Sequence, residues 1–349
     1  MKILITGNLG YIGPILSRHL KNSNPQNYIV GVDSGFFAHC LTGVSYSPEI
    51  FVDQQHYTDL RKIDESFLKG FDAVVHLAAV SNDPMGNKFE AVTDDINHKT
   101  SVQLAKKAAK AGVKRFVFAS SCSIYGFAEG GPRTETDALN PLTAYAKSKV
   151  NTENGLQELS ASGSNMIITA LRFSTACGMS DRIRLDLVLN DFVASALATG
   201  KIVVLSDGSP WRPLIDVKDM SRAIDWALVR SEQPGKYLAV NIGRNDFNYQ
   251  VKQIAQVVAG VIPGTEIAIN TNALPDKRSY QVDFSLFSKL APDYQPVTTL
   301  QQSATEIKEG LQRMQFRDAN FRESQLIRLK VLENHIAANR INTNLEWIY

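Results

Sequence analysis

Tyr145 and Lys149 are the two residues whose types and spacing point most directly to catalysis. They are four positions apart in a segment, 143–162, that is predicted to be helical, so the phenol and the ammonium project from one helix face. A free phenol has a pKa of about 10, and a neighbouring cation lowers that pKa by stabilising the phenolate. Tyr145 is therefore predicted to remove a proton from a hydroxyl while the hydrogen on the same carbon leaves as hydride.

Three glycines near the N-terminus predict the site of the hydride acceptor. Gly7, Gly10 and Gly13 follow a predicted strand and open a predicted helix, in the pattern G-x-x-G-x-x-G. Glycine permits the tight turn and the close approach of the backbone to a pyrophosphate, whose charge the helix N-terminus stabilises. The motif therefore predicts a dinucleotide-binding site.

An acidic residue at the end of the second predicted strand bears on which dinucleotide binds. Asp33 lies about 20 residues beyond the last glycine, where a carboxylate can accept hydrogen bonds from both ribose hydroxyls and would repel a 2′-phosphate. Residues 34–36 supply no Arg or Lys for that phosphate, so NAD is predicted rather than NADP. Asp53, which the pattern places at the end of the third strand, is either an adenine-binding residue or an ordinary loop residue.

The first half of the chain alternates short apolar segments with longer amphipathic ones, which is typical of a parallel sheet with crossover helices. We predict an α/β fold, a doubly wound (Rossmann) parallel sheet with a smaller interleaved C-terminal substrate lobe. Strands are predicted at 2–6, 28–33, 50–53, 73–79, 115–121 and 166–173, and helices at 11–21, 59–68, 87–111 and 143–162. The predicted domains are 1–172 with 214–244 for NAD, 173–213 with 245–320 for the substrate, and a helical tail, 321–349, that faces solvent or a partner.

Composition narrows the class of protein. The 349 residues are 44% hydrophobic, and a net charge of +2 with scattered Lys and Arg gives no reason to expect nucleic acid. No segment approaches the roughly 18 apolar residues of a membrane span, and no signal peptide is apparent. Cys40, Cys122 and Cys177 are widely spaced, so neither a disulfide framework nor a metal site is predicted. We expect a cytoplasmic protein with no membrane partner.

Five motifs occur in an order that is typical of one enzyme family. They are TGNLGYIG at 6–13, Asp33, HLAA at 76–79, SSCSIYG at 120–126 and YAKSK at 145–149. With these motifs the sequence resembles the extended short-chain dehydrogenase/reductase family, the group containing UDP-galactose 4-epimerase and the nucleotide-sugar 4,6-dehydratases, from Met1 to about Leu290. The resemblance implies NAD as the cofactor, a nucleotide-diphosphate sugar as the substrate and a homodimer that pairs the helices beginning near 87 and 143.

The resemblance also implies roles for individual residues. Ser121 would bind the reacting oxygen and complete a catalytic triad with Tyr145 and Lys149, and Lys149 would also hold the nicotinamide ribose. Asn97 would brace the helix beside the cofactor. The implied cofactor-binding residues are Gly7, Asn8, Gly10, Tyr11, Ile12, Gly13, Asp33, Asp53, Leu77, Ala78, Ala79, Asn97, Tyr145 and Lys149.

The substrate lobe contains two arginines that match phosphate-binding arginines of the family, Arg212 and Arg278. A guanidinium binds phosphate oxygens in pairs, although either residue could instead form a surface ion pair. Thr175 stands where the family usually has a substrate-contacting Asn, and Asn190 is a candidate replacement amide. The implied substrate-binding residues are Ser81, Ser121, Ser123, Thr175, Asn190, Arg212 and Arg278, and no metal ligand is implied.

Several functions share these residues. The leading hypothesis is an epimerase that transiently oxidises a ring carbon of the sugar and returns the hydride to the opposite face. C4 is the favoured carbon. A 4,6-dehydratase would need an Asp-Glu pair where this chain has Cys122 and Ser123, which are poor proton carriers for elimination. A nucleotide-sugar reductase or dehydrogenase would use the same triad. A dinucleotide-sensing scaffold protein would need neither Tyr145 nor Lys149.

Overall fold

The computed structural model describes residues 1–128, 130–270, 273 and 279–348. The strands within these residues are β1 (Lys2–Thr6), β2 (Tyr28–Asp33), β3 (Gln54–Tyr57), β4 (Ala73–His76), β5 (Arg115–Ser121), β6 (Ile167–Phe173), β7 (Thr175–Cys177), β8 (Lys201–Val204), β9 (Trp211–Asp216), β10 (Tyr237–Ile242), β11 (Asn248–Gln250) and β12 (Glu266–Ile269). Seven of these strands form a parallel sheet in the order β10-β6-β5-β4-β1-β2-β3. The predicted doubly wound α/β fold is confirmed.

Helices cover both faces of this sheet. Among the described residues they are α1 (Gly13–Ser23), α2 (Asp83–Lys88), α3 (Glu90–Thr93), α4 (Ser101–Lys110), α5 (Ala144–Ala161), α6 (Val188–Thr199), α7 (Val217–Val229), α8 (Val251–Val261), α9 (Ser285–Leu290), α10 (Leu300–Arg313) and α11 (Arg328–Ala337). A π-helical segment, Asp94–Thr100, joins α3 to α4. Short 3-10 turns occupy Pro48–Phe51, Leu60–Lys62, Cys122–Tyr125, Asn245–Phe247, Pro292–Tyr294 and Phe321–Glu323.

The central strands are apolar because both of their faces are covered. Ile3, Leu4 and Ile5 of β1 alternate between the two faces, and all three are fully buried, as are Val74 and Val75 of β4. The strand order reverses between β1 and β4, since β2 follows on one side of β1 and β5 lies beyond β4 on the other. At such a reversal the connections leave to opposite faces and open a crevice at the carboxyl ends of the strands.

Two predicted elements are wrong. The third strand was expected at 50–53, but β3 begins at Gln54, and residues 48–51 form a 3-10 turn that starts with a proline. The helix expected at 59–68 is only the short turn Leu60–Lys62, capped by Asp59. Apolar residues at helical spacing, Leu60, Ile63 and Leu68, pack into the core from irregular backbone instead.

Two smaller sheets, β11-β9-β7 and β12-β8, lie outside the central sheet. Their strands come from the segments assigned to the substrate lobe and from β9, which continues to residue 216. A second apolar core, built from α6, α8 and α10, packs beneath them. The division of the chain into a dinucleotide domain and a substrate domain at the predicted boundaries remains a prediction.

The C-terminal tail contains a helix, α11, but its apolar side does not face solvent or a partner. Val331 and Leu332 are buried, and Leu332 packs in one apolar cluster with Val80, Met85 and Phe89, which lie after β4. The tail therefore packs on the chain's own sheet edge, at the end where the strands terminate.

Candidate active site

A cleft opens at the carboxyl ends of β1, β2 and β4 and extends to β7 and β9 of the smaller sheet. It brings together ten residues predicted to bind the cofactor, namely Gly7, Gly10, Tyr11, Ile12, Asp33, Leu77, Ala78, Ala79, Tyr145 and Lys149. Five residues predicted to bind the substrate line the same cleft, namely Ser81, Ser121, Ser123, Thr175 and Arg212. Residues separated by up to 205 positions in the sequence therefore share one cavity, in agreement with the predicted sheet edge.

The glycine loop leaves no room for side chains. Gly7 has a φ of 75°, a conformation that favours glycine, and a Cβ there would lie 2.6 Å from the backbone nitrogen of Ala78. A Cβ on Gly13 would lie 2.0 Å from the carbonyl oxygen of Asn8. The loop thus packs directly on the chain after β4, and α1 begins beside the cleft. Bare backbone next to a helix N-terminus is the environment that a pyrophosphate requires.

Asp33 ends β2 and lies in the cleft wall. Its carboxylate accepts hydrogen bonds from the backbone N–H groups of Leu9, at 3.1 Å, and Gly35, at 2.7 Å. Burial raises the pKa of Asp33, and these two hydrogen bonds act in the opposite direction. A carboxylate has about four acceptor positions, so two bonds to backbone leave capacity for ribose hydroxyls.

Four predicted cofactor residues do not line the cleft, namely Asn8, Gly13, Asp53 and Asn97. The Asn8 side chain turns towards β3 and donates to Gln55 at 2.6 Å, and Gly13 serves by packing against the Asn8 backbone. Asp53 forms an ion pair with Lys21 at 2.7 Å, and this lysine holds the pKa of the carboxyl below its usual value. Because β3 begins at Gln54, Asp53 precedes the strand rather than ending it. Asp53 therefore lies at the amino ends of the strands, whereas Asp33 lies at their carboxyl ends.

Tyr145 is positioned by the cap of α5. The Thr143 hydroxyl accepts a hydrogen bond from the backbone N–H of Ala146 at 3.1 Å, which fixes the first turn of the helix. Burial raises the pKa of Tyr145 to about 12, while the nearby Arg184 guanidinium and the Ser121 hydroxyl act to lower it. The Ser121 hydroxyl also donates to the Ser123 hydroxyl at 3.0 Å.

Lys149 lies one helical turn beyond Tyr145 and is buried. Its ammonium is 5.4 Å from the centroid of the Tyr145 ring and donates to the carbonyl oxygen of Ala119 at 2.7 Å. Burial lowers the pKa of Lys149 to about 7, and Glu153, a further turn along α5, acts in the opposite direction. Glu153 is itself held by Arg172 at 2.7 Å.

Asn97 joins the segment after β4 to α5. Its side chain accepts from the backbone N–H of Val80 at 2.8 Å and donates to the carbonyl oxygen of Val80 at 2.9 Å. It also donates to the Ser148 hydroxyl at 3.2 Å. Asn97 does not line the cleft, and these contacts fit the bracing role that the resemblance implied. The π-helical turn that contains Asn97 is a feature frequently found at functional sites.

A buried ion pair in the cleft was not predicted. Arg184 binds Asp186 through two hydrogen bonds of 2.9 Å, and it donates to the Ser81 hydroxyl at 2.9 Å. Asn82, whose φ of 91° is uncommon for a residue other than glycine, donates to Asp186 at 2.6 Å. This network connects the segment after β4 to the segment before α6. The only signal in the sequence was a pair of opposite charges two positions apart, at residues 184 and 186.

The far end of the cleft holds Thr175, Arg212 and Tyr280. Tyr280 was not predicted; burial raises the pKa of its phenol, and the nearby Arg212 and Thr175 act to lower that pKa. Asn190 is fully buried outside the cleft lining, where it accepts from the backbone N–H of Gly178 at 3.1 Å, so it holds backbone rather than covering the cleft. Arg278 lies outside the described residues.

Within residues 1–128, 130–270 and 279–348, no group of three or more His, Cys, Asp or Glu side chains is arranged to hold a metal ion. In the same part of the chain, no helix has the length and apolar character needed to cross a membrane.

The sequence has many recognisable relatives. It is 28% identical over 281 residues to the UDP-glucose 4-epimerase of Streptomyces lividans, and the match covers 74% of this chain and 80% of the relative. It is 27% identical over 250 residues to an uncharacterized UDP-glucose epimerase of Bacillus subtilis, and the match covers 70% of this chain and 77% of the relative.

Solved structures match over nearly the whole chain. MoeE5, in complex with UDP-glucose and NAD, has a TM-score of 0.76 and 25% identity, and the match covers 90% of this chain and 99% of MoeE5. The UDP-glucuronic acid 4-epimerase of Bacillus cereus, in complex with NAD, has a TM-score of 0.76 at 24% identity, covering 91% and 99% of the two chains. The sequence profile of the NAD dependent epimerase/dehydratase family matches residues 3–243. With its glycine loop, Asp33 and the Tyr145–Lys149 pair in one cleft, this chain belongs to the NAD-dependent epimerase/dehydratase family.

Proposed function

We propose that this protein is an NAD-dependent nucleotide-sugar epimerase that inverts a ring carbon of the sugar by transient oxidation. C4 is the carbon that we favour. The observation that carries the proposal is the shared cleft, which the glycine loop and Asp33 line together with the Tyr145–Lys149 pair. The names of the relatives, UDP-glucose 4-epimerases among them, support the same reaction. NAD, when bound, supplies the hydride acceptor and then the hydride donor.

The residues of the chain account for the proton transfer. The Tyr145 phenol lines the cleft together with Ser121 and would take the proton of a sugar hydroxyl and later return it. Lys149 stabilises the phenolate because its ammonium lies against the same ring. Ser121 orients the reacting oxygen. No water or co-substrate enters this cycle, so the proton and the hydride both return to the sugar.

The positions that decide against a dehydratase are Cys122 and Ser123. The Cys122 thiol is buried, donates to the carbonyl oxygen of Arg172 at 3.0 Å, and has a pKa that burial raises. Such a thiol is held away from the substrate and stays protonated at neutral pH. Ser123 lines the cleft but is no acid, so elimination of water from the sugar has no proton carrier at these two positions.

The substrate's diphosphate is assigned to Arg212, which lines the far end of the cleft, and to Arg278. Thr175 and Tyr280 lie beside Arg212 and would contact the nucleotide or the sugar. With NAD held beside Asp33 and the nucleotide sugar beside Arg212, the two ligands would meet at the Tyr145 phenol.

The test is an assay of the purified protein without added cofactor. UDP-, dTDP-, GDP- and CDP-sugars are incubated separately, and the products are followed by mass spectrometry and NMR. Inversion of one carbon with no change of mass is expected, together with dinucleotide bound to the purified protein. A strict need for stoichiometric NADPH would favour a reductase instead, and NAD binding with no reaction on any sugar would favour a sensing protein.

A homodimer is part of the proposal. The helices expected at its interface are 87–111, which the structure divides into α3, the π-helical segment and α4, and 143–162, which is α5. Helices α4 and α5 pack side by side. Sedimentation equilibrium of the full chain should give twice the 38.5 kDa chain mass. A monomer at micromolar concentration would remove this part of the proposal and leave the chemistry untouched.

A further inference from the structure

The end of the chain forms a wall of the active cleft. We refer to residues 321–348 as the tail; it contains α11 and the irregular segment that follows. Arg328, Leu332 and Leu345 of the tail line the cleft together with the glycine loop and Asp33. The profile of the family ends at residue 243, so nothing in the family match concerns this wall.

On one side of the cleft, the tail holds the loop after β2. The Trp347 indole N–H donates to the carbonyl oxygen of Ser34 at 2.6 Å, and its ring lies 5.3 Å from the Phe36 ring. The His335 ring nitrogen is 3.1 Å from the carbonyl oxygen of Phe36. Ser34 directly follows Asp33, so these contacts fix the backbone beside the proposed ribose site.

On the other side, the tail packs against the segment after β4. Leu332, Ile341 and Leu345 are at most 2% exposed and form one apolar cluster with Val80 and Met85. This cluster is closed at its rim by polar contacts of the tail. The carbonyl oxygen of Leu345 accepts from Arg61 at 3.2 Å, and Glu333 forms an ion pair with Lys88.

The tail is therefore attached to both sides of one crevice, at the end where Asp33 lies. We infer that the tail is a strap that encloses the adenosine half of the bound dinucleotide and slows its release. This inference rests on the proposed function in one respect, namely that the cleft holds NAD. A cofactor that is reduced and reoxidised within each turnover need not leave, so an enclosed site suits an epimerase, whereas a reductase must exchange its cofactor every turnover.

The strap is tested by the rate at which NAD leaves the protein. Full-length protein is loaded with radiolabelled NAD, freed of unbound ligand and mixed with excess unlabelled NAD. The double variant Leu345→Ala, Trp347→Ala removes the contacts to both sides of the crevice and is expected to release NAD at least about tenfold faster. The matched control is Ile348→Ala, because Ile348 is next to Trp347 in sequence but 54% exposed, and its release rate should equal that of the wild type.

Release of NAD by the double variant at the wild-type rate would overturn the strap. Should the double variant fail to fold, Trp347→Phe keeps the ring and removes only the N–H donor to Ser34, and it is expected to show a smaller increase in release rate. A second measurement uses the wild type alone: trypsin cuts after exposed Arg340 within the tail. By linkage, saturating NAD should slow that cleavage, and an unchanged rate would contradict the strap.

Failure of the strap and failure of the proposed function give different results. A protein that inverts no sugar, but whose tail variants release NAD faster, keeps the strap and loses the epimerase. A protein that inverts a sugar, with the same NAD release in all variants, keeps the epimerase and loses the strap.

Discussion

The Lys149 ammonium lies 5.4 Å from the centroid of the Tyr145 ring in the wall of the cleft, where Lys149 is buried and Tyr145 is half-buried. Burial acts on them in opposite directions, since it raises the pKa of the phenol to about 12 and lowers the pKa of the amine to about 7. Each group alone resists becoming charged. A phenolate beside an ammonium is the one arrangement in which each charge offsets the burial cost of the other.

Tyr145→Phe should remove catalysis and spare cofactor binding. The variant keeps the ring against Lys149 and loses only the hydroxyl that accepts the substrate's proton. We expect the turnover number to fall by about 10²–10⁴-fold, the usual contribution of a general base, with the dissociation constant of NAD nearly unchanged. Steady-state kinetics and NAD titration measure the two effects. Tyr57→Phe, at a residue 66% exposed, is the matched control, and full turnover by Tyr145→Phe would defeat the proposed base.

Replacement of Lys149 by Met should change the pH dependence of stability. The folded-state pKa of about 7 is below the usual value for lysine, so above pH 7 the unfolded chain holds a proton that the folded protein has lost. Rising pH therefore stabilises the wild type through this group, on the order of 1 kcal/mol per pH unit between about 7 and 10. The variant lacks this contribution.

The free energy of unfolding of the wild type relative to Lys149→Met should accordingly be more favourable at pH 9 than at pH 6. Urea unfolding of both proteins in the absence of cofactor measures it. Lys106→Met, on the exposed side of α4, shows what replacement of a surface lysine does. An equal difference at the two pH values for Lys149→Met would mean that the buried amine keeps its ordinary affinity for protons.

Asp33→Asn should weaken the preference for NAD over NADP. The amide can still hydrogen-bond to ribose hydroxyls, but the negative charge that repels a 2′-phosphate is gone. We expect the ratio of the NADP and NAD dissociation constants to fall by about tenfold or more, measured by fluorescence titration. Asp53→Asn is the matched control, because Asp53 is paired with Lys21 at the amino ends of the strands, away from the cleft. A ratio that moves equally in both variants would exclude a specific role for Asp33.

The sequence predicted the parts of the site that come from local patterns. The glycine loop, Asp33 and the Tyr145–Lys149 pair are each encoded by spacing within one strand–turn–helix unit or one helix, and the fold brings them to one cleft. Asp53 was misplaced because a shift of four residues in β3 moves it from one end of the strand to the other. Hydrophobic periodicity predicts that a strand exists more reliably than it predicts the residues at which the strand begins and ends.

Contacts between distant segments could not be predicted in the same way. Arg184 pairs with Asp186 locally, but its bond to Ser81 joins residues about 100 positions apart, and no pattern in either segment encodes that meeting. The tail shows the same difficulty more strongly. Its apolar residues at helical spacing fit any covering surface, and only the folded chain shows that the surface is its own cleft, around Val80 and Met85.

Gly13→Ala should damage the dinucleotide site through packing alone. An added Cβ would lie 2.0 Å from the carbonyl oxygen of Asn8, and that oxygen belongs to backbone that cannot rotate away. The loop must therefore shift from its contact with the chain after β4, which removes the space for a pyrophosphate. We expect a loss of about 1–3 kcal/mol in the free energy of unfolding and a lower affinity for NAD.

Gly260→Ala provides the matched control for this substitution. Gly260 lies in α8, and a Cβ there meets no atom within 4 Å. Alanine should stabilise that helix by roughly 0.5–1 kcal/mol without changing NAD affinity. The two Gly→Ala changes are thus expected to move stability in opposite directions, because one glycine is required by close backbone packing and the other is not. A stabilised Gly13→Ala that still binds NAD normally would show that the loop in solution is wider than the structure has it.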